Sequence, residues 1–165
     1  MDRKNIDIYN RNAVSYSEQY DSVPFEQVHD QWLDSVELVS SGNALDIGSG
    51  SGRDAFALAQ RGFDVVACEP AEKLLELAER NYPSPNITWL QDSLPSLNVI
   101  YNLDIKFDFI LLSAVWMHRL RYFNYCFFRS NYFLIFNFFW ITSKTGPYKP
   151  ASFFLYFKFF IFAAS

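Results

Sequence analysis

From Ala44 to Asp54 the chain reads Ala-Leu-Asp-Ile-Gly-Ser-Gly-Ser-Gly-Arg-Asp: an apolar run, three alternating glycines, then a helical pattern. Gly48, Gly50 and Gly52 let the backbone approach a ligand closely and adopt dihedrals that other residues avoid. A strand, a glycine turn and a helix start together aim backbone N–H groups at whatever lies in the crevice. That is a cradle for a nucleotide-like ligand. The spacing Gly48-x-Gly50-x-Gly52 is not the G-x-G-x-x-G dinucleotide pattern. Asp46, two residues before the first glycine, would repel a pyrophosphate and suits a cationic group. A zwitterionic amino-acid ligand with a sulfonium centre fits both details, with a nicotinamide dinucleotide as the alternative.

Glu69 follows the next apolar run, about 20 residues after the loop, where an acid can accept hydrogen bonds from ribose hydroxyls. Its plain alternative is a surface carboxylate before a helix begun by Pro70. Asp92, in Leu90-Gln91-Asp92-Ser93, follows a third run and could accept from an adenine amino group. A turn or cap aspartate is the alternative. Pro70 and Ser93, next to the two acids, complete the expected cofactor lining. His118 lies where a general base could deprotonate an acceptor hydroxyl, or simply ends the intact part of the domain. Trp116 could stack on a ligand or fill the core.

Alternating strands and helices must hold these residues. Residues 4–40 read as two helices, the first carrying Ile6, Tyr9, Ala13, Tyr16 and Tyr20 at three- and four-residue spacing. Residues 44–47 form strand one, 52–61 a helix stopped at Gly62, and Phe63–Cys68 a buried parallel strand. Pro70 opens a helix running to Asn81. Ile87–Gln91 is strand three, residues 95–104 a weak helix or loop, and Phe107–Ser113 strand four. This is an α/β domain with a parallel sheet.

The chain has 165 residues, 50% hydrophobic and 19% charged, enough for one domain with a core. A net charge of -4 argues against a nucleic-acid partner, since phosphate recognition needs a basic face. Two cysteines, Cys68 and Cys126, make neither a disulfide framework nor a metal site, which points to a reducing, cytoplasmic setting. The N-terminus leads into no apolar signal segment.

That average hides a break at His118. All 18 acidic residues precede it, while the following 47 residues hold six basic ones and 13 of the 18 Phe. Phe133–Ile141 and Phe153–Phe162 are very apolar, yet neither offers the roughly 18–20 uninterrupted apolar residues of a membrane-spanning helix, so a membrane role is not expected. Neither half shows a clean period. The Phe, Tyr, Asn, Ile and Lys bias is what A+T-rich codons encode. It suggests a shifted reading frame or a mispredicted gene end from about residue 119.

Asp46–Gly52, Glu69, Asp92 and Phe107–Leu112 resemble, in order and spacing, the class I S-adenosylmethionine-dependent methyltransferases, over roughly residues 5–118. The resemblance implies a Rossmann-like parallel sheet in residues 43–118 below an N-terminal helical cap, 1–42. It implies S-adenosylmethionine as cofactor, with its methionine part at Gly48, Gly50 and Gly52, its ribose at Glu69 and its adenine at Asp92. It also implies a lid carrying Tyr9, Tyr16 and Tyr20, with Arg11 a further contact. The base-methylation signature is absent after strand four, which favours a small-molecule methyl acceptor. The family's sheet runs 3-2-1-4-5-7-6. Only strands one to four are expected here, with an irregular aromatic tail over 119–165, strand four left as an open edge, and a catalytically inactive fragment as the alternative.

Overall fold

The structure, a computed structural model, describes residues 3–30, 33, 36, 41–113, 132–140 and 155–163. In chain order it comprises α1 (Arg3–Arg11), α2 (Ala13–Asp21), α3 (Phe25–His29), β1 (Gly42–Ile47), α4 (Arg53–Gln60), β2 (Phe63–Cys68), α5 (Glu72–Asn81), β3 (Ile87–Leu90), α6 (Asn98–Tyr101), β4 (Phe109–Ser113), β5 (Tyr132–Trp140) and β6 (Leu155–Ala163). Leu33 and Val36 are also helical.

One six-stranded sheet has the order β3-β2-β1-β4-β6-β5. Strands β1 to β4 are mutually parallel, with Ala44 opposite both Val65 and Phe109. Their near-continuous apolar sequences follow from burial on both faces. Alternate residues serve each face, as a pleated strand requires. Ala44, Val65, Ala67, Phe109 and Leu111 meet Ala55, Leu58 and Ala59 of α4. Leu45, Ile47, Val66, Cys68, Ile110 and Leu112 meet Leu97 and Ile100 on the other side. The Phe63 and Phe109 rings lie 5.9 Å apart in the first layer, and burying each contributes about 2–3 kcal/mol.

The four parallel strands stand where the sequence puts them, with three local corrections. The expected helix through Tyr20 is kinked at Asn12 (φ -112°, ψ 19°). There Asn12 Nδ2 donates back to the Ile8 carbonyl at 2.8 Å, a competing bond typical of asparagine. The helix expected from Pro70 starts at Glu72, because the Glu69 carboxylate takes the Ala71 N–H at 2.9 Å and holds that turn extended. Strand four starts at Phe109, after Asp108 N–H has bonded the Asn43 carbonyl.

The tail differs more. Residues 132–140 and 155–163 are not irregular but form β5 and β6, paired antiparallel. β6 also pairs antiparallel with β4, Phe109 opposite Phe162 and Ser113 opposite Lys158, so β4 is not an open edge. Aromatic and β-branched residues favour the pleated sheet even where no two-residue alternation marks the run. An antiparallel strand thus lies where the family order puts parallel strand five. Among the described residues no helix is long and apolar enough to cross a membrane.

Candidate functional site

The end of β1, the glycine turn and the end of β2 form one hydrogen-bonded corner. The Gly48 and Ser49 N–H groups both donate to the Cys68 carbonyl, at 2.8 and 3.0 Å, and Gly52 N–H donates to the Ser49 carbonyl at 2.9 Å. Gly48, Gly50 and Gly52 have φ of 74°, 57° and 89°. At Gly52 the lack of a side chain is obligatory, since a Cβ would stand 2.7 Å from Trp89 Cη2 and 2.9 Å from Ala78 Cβ. The turn is therefore pressed between β3 and α5 as well as bent.

Glu69 closes the corner. Its Oε2 accepts from Gly50 N–H at 3.1 Å and its Oε1 from Ala71 N–H at 2.9 Å. Burial raises its pKa to about 7, against the pull of those two N–H groups. The surface-carboxylate alternative is set aside, since Glu69 is 6% exposed. Each carboxylate oxygen has a second lone pair for a further donor.

Asp46 is 1% exposed, and among the described residues its Oδ2 has no hydrogen-bond partner; the same holds for the buried Ser49 Oγ. Burial, then the charges of Asp54 and Glu69, push the Asp46 carboxyl well above its ordinary range, against a smaller pull from Arg53. An unpaired buried acceptor is costly. A cationic ligand group at this corner would relieve it, and S-adenosylmethionine carries an ammonium and a sulfonium. These residues fit that cofactor.

Asp92 serves as a cap. Its Oδ1 accepts from Ser93 N–H at 2.7 Å, and its Oδ2 from Val99 and Ile100 N–H at 2.8 and 3.0 Å. It thereby secures α6 and the buried Leu97, which holds a left-handed φ of 44°. Ser93 lies in the same loop, and the Pro70 carbonyl accepts from Gln91 Nε2 at 3.2 Å. His118 and Trp116 lie outside the described residues.

The N-terminal helices reach this corner through their tyrosines. Tyr9 and Tyr16 rings are 5.1 Å apart, and Tyr16 stacks on Tyr20 at 6.0 Å and 6°. Tyr20 and Tyr9 hydroxyls are hydrogen-bonded, and the Tyr20 ring lies 3.4 Å from where a Gly50 Cβ would stand. Burial raises the pKa of both phenols, and the Glu69 charge adds to it. Arg11 is not brought in; its Nε bonds the Asp7 carbonyl at 3.1 Å on an exposed face.

Three residues that the motif reading passed over stand behind the turn. Asp54 accepts from Arg53 Nε at 2.7 Å and meets His29 Nε2 at 2.7 Å. Arg53 also donates to the Tyr20 and Val23 carbonyls, at 2.6 and 2.9 Å. Burial opposes ionisation of Asp54, but His29 and Arg53 outweigh it and hold its pKa below the usual carboxylate range. One signal was available: Asp54, Ala55, Leu58 and Ala59 share the buried face of α4, so a charge was placed among core positions.

Residues 8–123 match the family model described as "Tellurite resistance protein TehB". A protein of Bacillus subtilis (strain 168) named as a methyltransferase, YqeM, is 26% identical over 109 residues, covering 64% of this chain and 43% of its own length. A Haemophilus influenzae protein, "Probable S-adenosyl-L-methionine-dependent methyltransferase TehB", is 23% identical over 112 residues, 68% of this chain and 37% of its own. The chain thus spans less than half the length of these relatives. Among solved structures, magnesium protoporphyrin IX methyltransferase (ChlM) from Synechocystis PCC 6803, with bound SAM, superposes with a TM-score of 0.56 at 15% identity. That alignment covers 99% of this chain and 98% of the other, a likeness of fold. The family match sets aside the nicotinamide alternative.

Proposed function

This chain belongs to the TehB family, within the class I S-adenosylmethionine-dependent methyltransferases, and on that premise we propose that it binds S-adenosylmethionine and transfers its methyl group to a small-molecule acceptor. The observation that carries the reading is Asp46: a buried carboxylate with an oxygen unpartnered among the described residues, at the head of a glycine turn whose other wall is Glu69.

Bound S-adenosylmethionine supplies an already activated methyl on a sulfonium, so transfer asks mainly for positioning and exclusion of water. Asp46 offers a negative oxygen to the cationic amino-acid part, and the glycine turn admits that part close to the backbone. Glu69 accepts from ribose hydroxyls with the lone pairs that Gly50 and Ala71 leave. Asp92 and Ser93 order the loop beside the adenine, and Pro70 backs the ribose side. Tyr9, Tyr16 and Tyr20, within the cap of residues 1–42, exclude water from the turn. His118 is retained as the candidate base for the acceptor. The acidic body favours a small acceptor over nucleic acid, and the free, buried Cys68 suits a reducing, cytoplasmic setting.

Isothermal titration of the full chain with S-adenosylmethionine and S-adenosylhomocysteine tests the cofactor. Transfer of labelled methyl from S-adenosylmethionine to small molecules of a cell extract tests the activity. Saturable binding of both compounds and a labelled low-molecular-weight product are expected. Binding without any labelled product would reduce the chain to a cofactor-binding fragment, and no binding would remove the cofactor assignment.

A further inference from the structure

A single line of polar contacts runs from the core beneath α3 to the cofactor turn. His29, 0% exposed, meets Asp54 Oδ2, and Asp54 Oδ1 holds Arg53. Arg53 follows Gly52 directly and opens α4, so it stands at the end of the turn. Its guanidinium reaches back to the Tyr20 and Val23 carbonyls at the C-terminal end of α2. The Tyr20 carbonyl is one that the end of α2 leaves without an intrahelical donor, and the Val23 carbonyl follows in the α2–α3 turn. Tyr20 in turn lies on Gly50 and bonds the Tyr9 hydroxyl. An ionised Asp54 only accepts, so His29 Nε2 contributes the proton of their bond.

We propose that Arg53, Asp54 and His29 act as positioning residues: they dock the α2–α3 turn, and with it the Tyr20 ring, onto the glycine turn, and so set how long S-adenosylmethionine stays bound. This rests on the cofactor reading above. Three features separate the trio from ordinary core support. Arg53 is fixed at the turn itself. Its other bonds go to the very residue whose ring covers Gly50. Asp54 joins Arg53 to His29, which lies beyond the Tyr20–Val23 stretch in the chain, so α2 and α3 are held from both sides. Where the ligand leaves only while the turn is undocked, the dissociation rate scales with the undocked fraction, so a tenfold rise in that fraction gives about a tenfold faster release.

The test uses the full chain and its Asp54→Asn, Arg53→Lys, His29→Leu and His29→Gln variants. Amide hydrogen exchange without ligand is compared with S-adenosylmethionine dissociation by stopped flow. Asp54→Asn and His29→Leu are expected to speed exchange across residues 13–29, leave residues 42–68 as in the wild type, and raise the dissociation rate about tenfold. His29→Gln keeps a donor for Asp54 and should restore both readouts. Arg53→Lys keeps a charge near Asp54 but loses the guanidinium that serves Asp54 and, through Nη1, both carbonyls at once; it carries the same expectation if Asp54→Asn fails to fold. Faster exchange over 13–29 with an unchanged dissociation rate overturns the proposal. So does faster exchange throughout 42–113, which would mark the trio as core support alone. A wild type that binds no S-adenosylmethionine fails the cofactor reading instead, and the ligand-free exchange pattern distinguishes that failure from loss of docking.

Discussion

Gly50 and Glu69, nineteen positions apart in the chain, are joined directly, the N–H of the turn donating to the carboxylate at 3.1 Å. The middle glycine and the acid that follows β2 are therefore one unit, and the protonation of Glu69 is felt at the turn.

Burial raises the Glu69 pKa to about 7, which fixes the sign of its pH effects. A carboxyl raised above its unfolded value of 4.5 keeps its proton longer in the fold than in the open chain. Its contribution to stability is full below about pH 4.5 and is lost as pH rises to about 7. Ribose hydroxyls favour the ionised form, so S-adenosylmethionine affinity should rise with pH to about 7 and then level. Binding near pH 6 should release a proton, measurable by titration in buffers of different ionisation enthalpy. Glu69→Gln should weaken binding and reduce the proton release, Asp46 supplying the remainder.

Asp46→Asn should separate stability from binding. Asp46 is raised by burial first, then by its acidic neighbours, so ionised Asp46 works against the fold as pH rises through its folded pKa. The variant is expected to melt higher than the wild type in alkaline buffer, yet to bind S-adenosylmethionine at least about tenfold more weakly, the scale of a lost charged hydrogen bond. A variant that melts lower and binds normally would contradict this.

Gly52→Ala should be the most damaging change in the turn. Steric contact at 2.7 Å with Trp89 and a φ of 89° combine there, for a loss of about 2–4 kcal/mol in urea unfolding. Gly50→Ala meets the Tyr20 ring at 3.4 Å, an ordinary contact distance, at a φ of 57°, and should lose about 1–2 kcal/mol.

Asp92→Ala removes the acceptor of three backbone N–H groups. A loss of about 1–2 kcal/mol is expected, a usual value for a helix cap. Hydrogen exchange should rise in residues 93–101 and not in the sheet.

The sequence showed what local pattern carries. Phe63–Cys68 was readable to the residue, because a strand buried on both faces is apolar almost throughout. Glycine spacing marked the turn after β1, and Glu69 and Asp92 stand just beyond the ends of β2 and β3, where the reading put them. The kink at Asn12 was invisible because Ile6, Tyr9, Ala13, Tyr16 and Tyr20 keep helical phase across it. The Asp54–His29 pair was invisible because its partners are 25 residues apart and belong to no motif. β6 escaped because strand pairing over a long separation leaves no local period to read.

Pairing of β4 with β6 also orders events in time. Phe109 and Ser113 find their antiparallel partners 53 and 45 residues later, at Phe162 and Lys158. β1, β2 and β3, by contrast, all lie within residues 42–90. Contacts between distant residues form late and slowly. During vectorial synthesis the glycine turn, Glu69 and Asp92 emerge while the apolar edge of β4 still waits for its cover. The nascent chain can then assemble its glycine turn before the β4 edge is protected from its neighbours, an interval in which that edge is open to association.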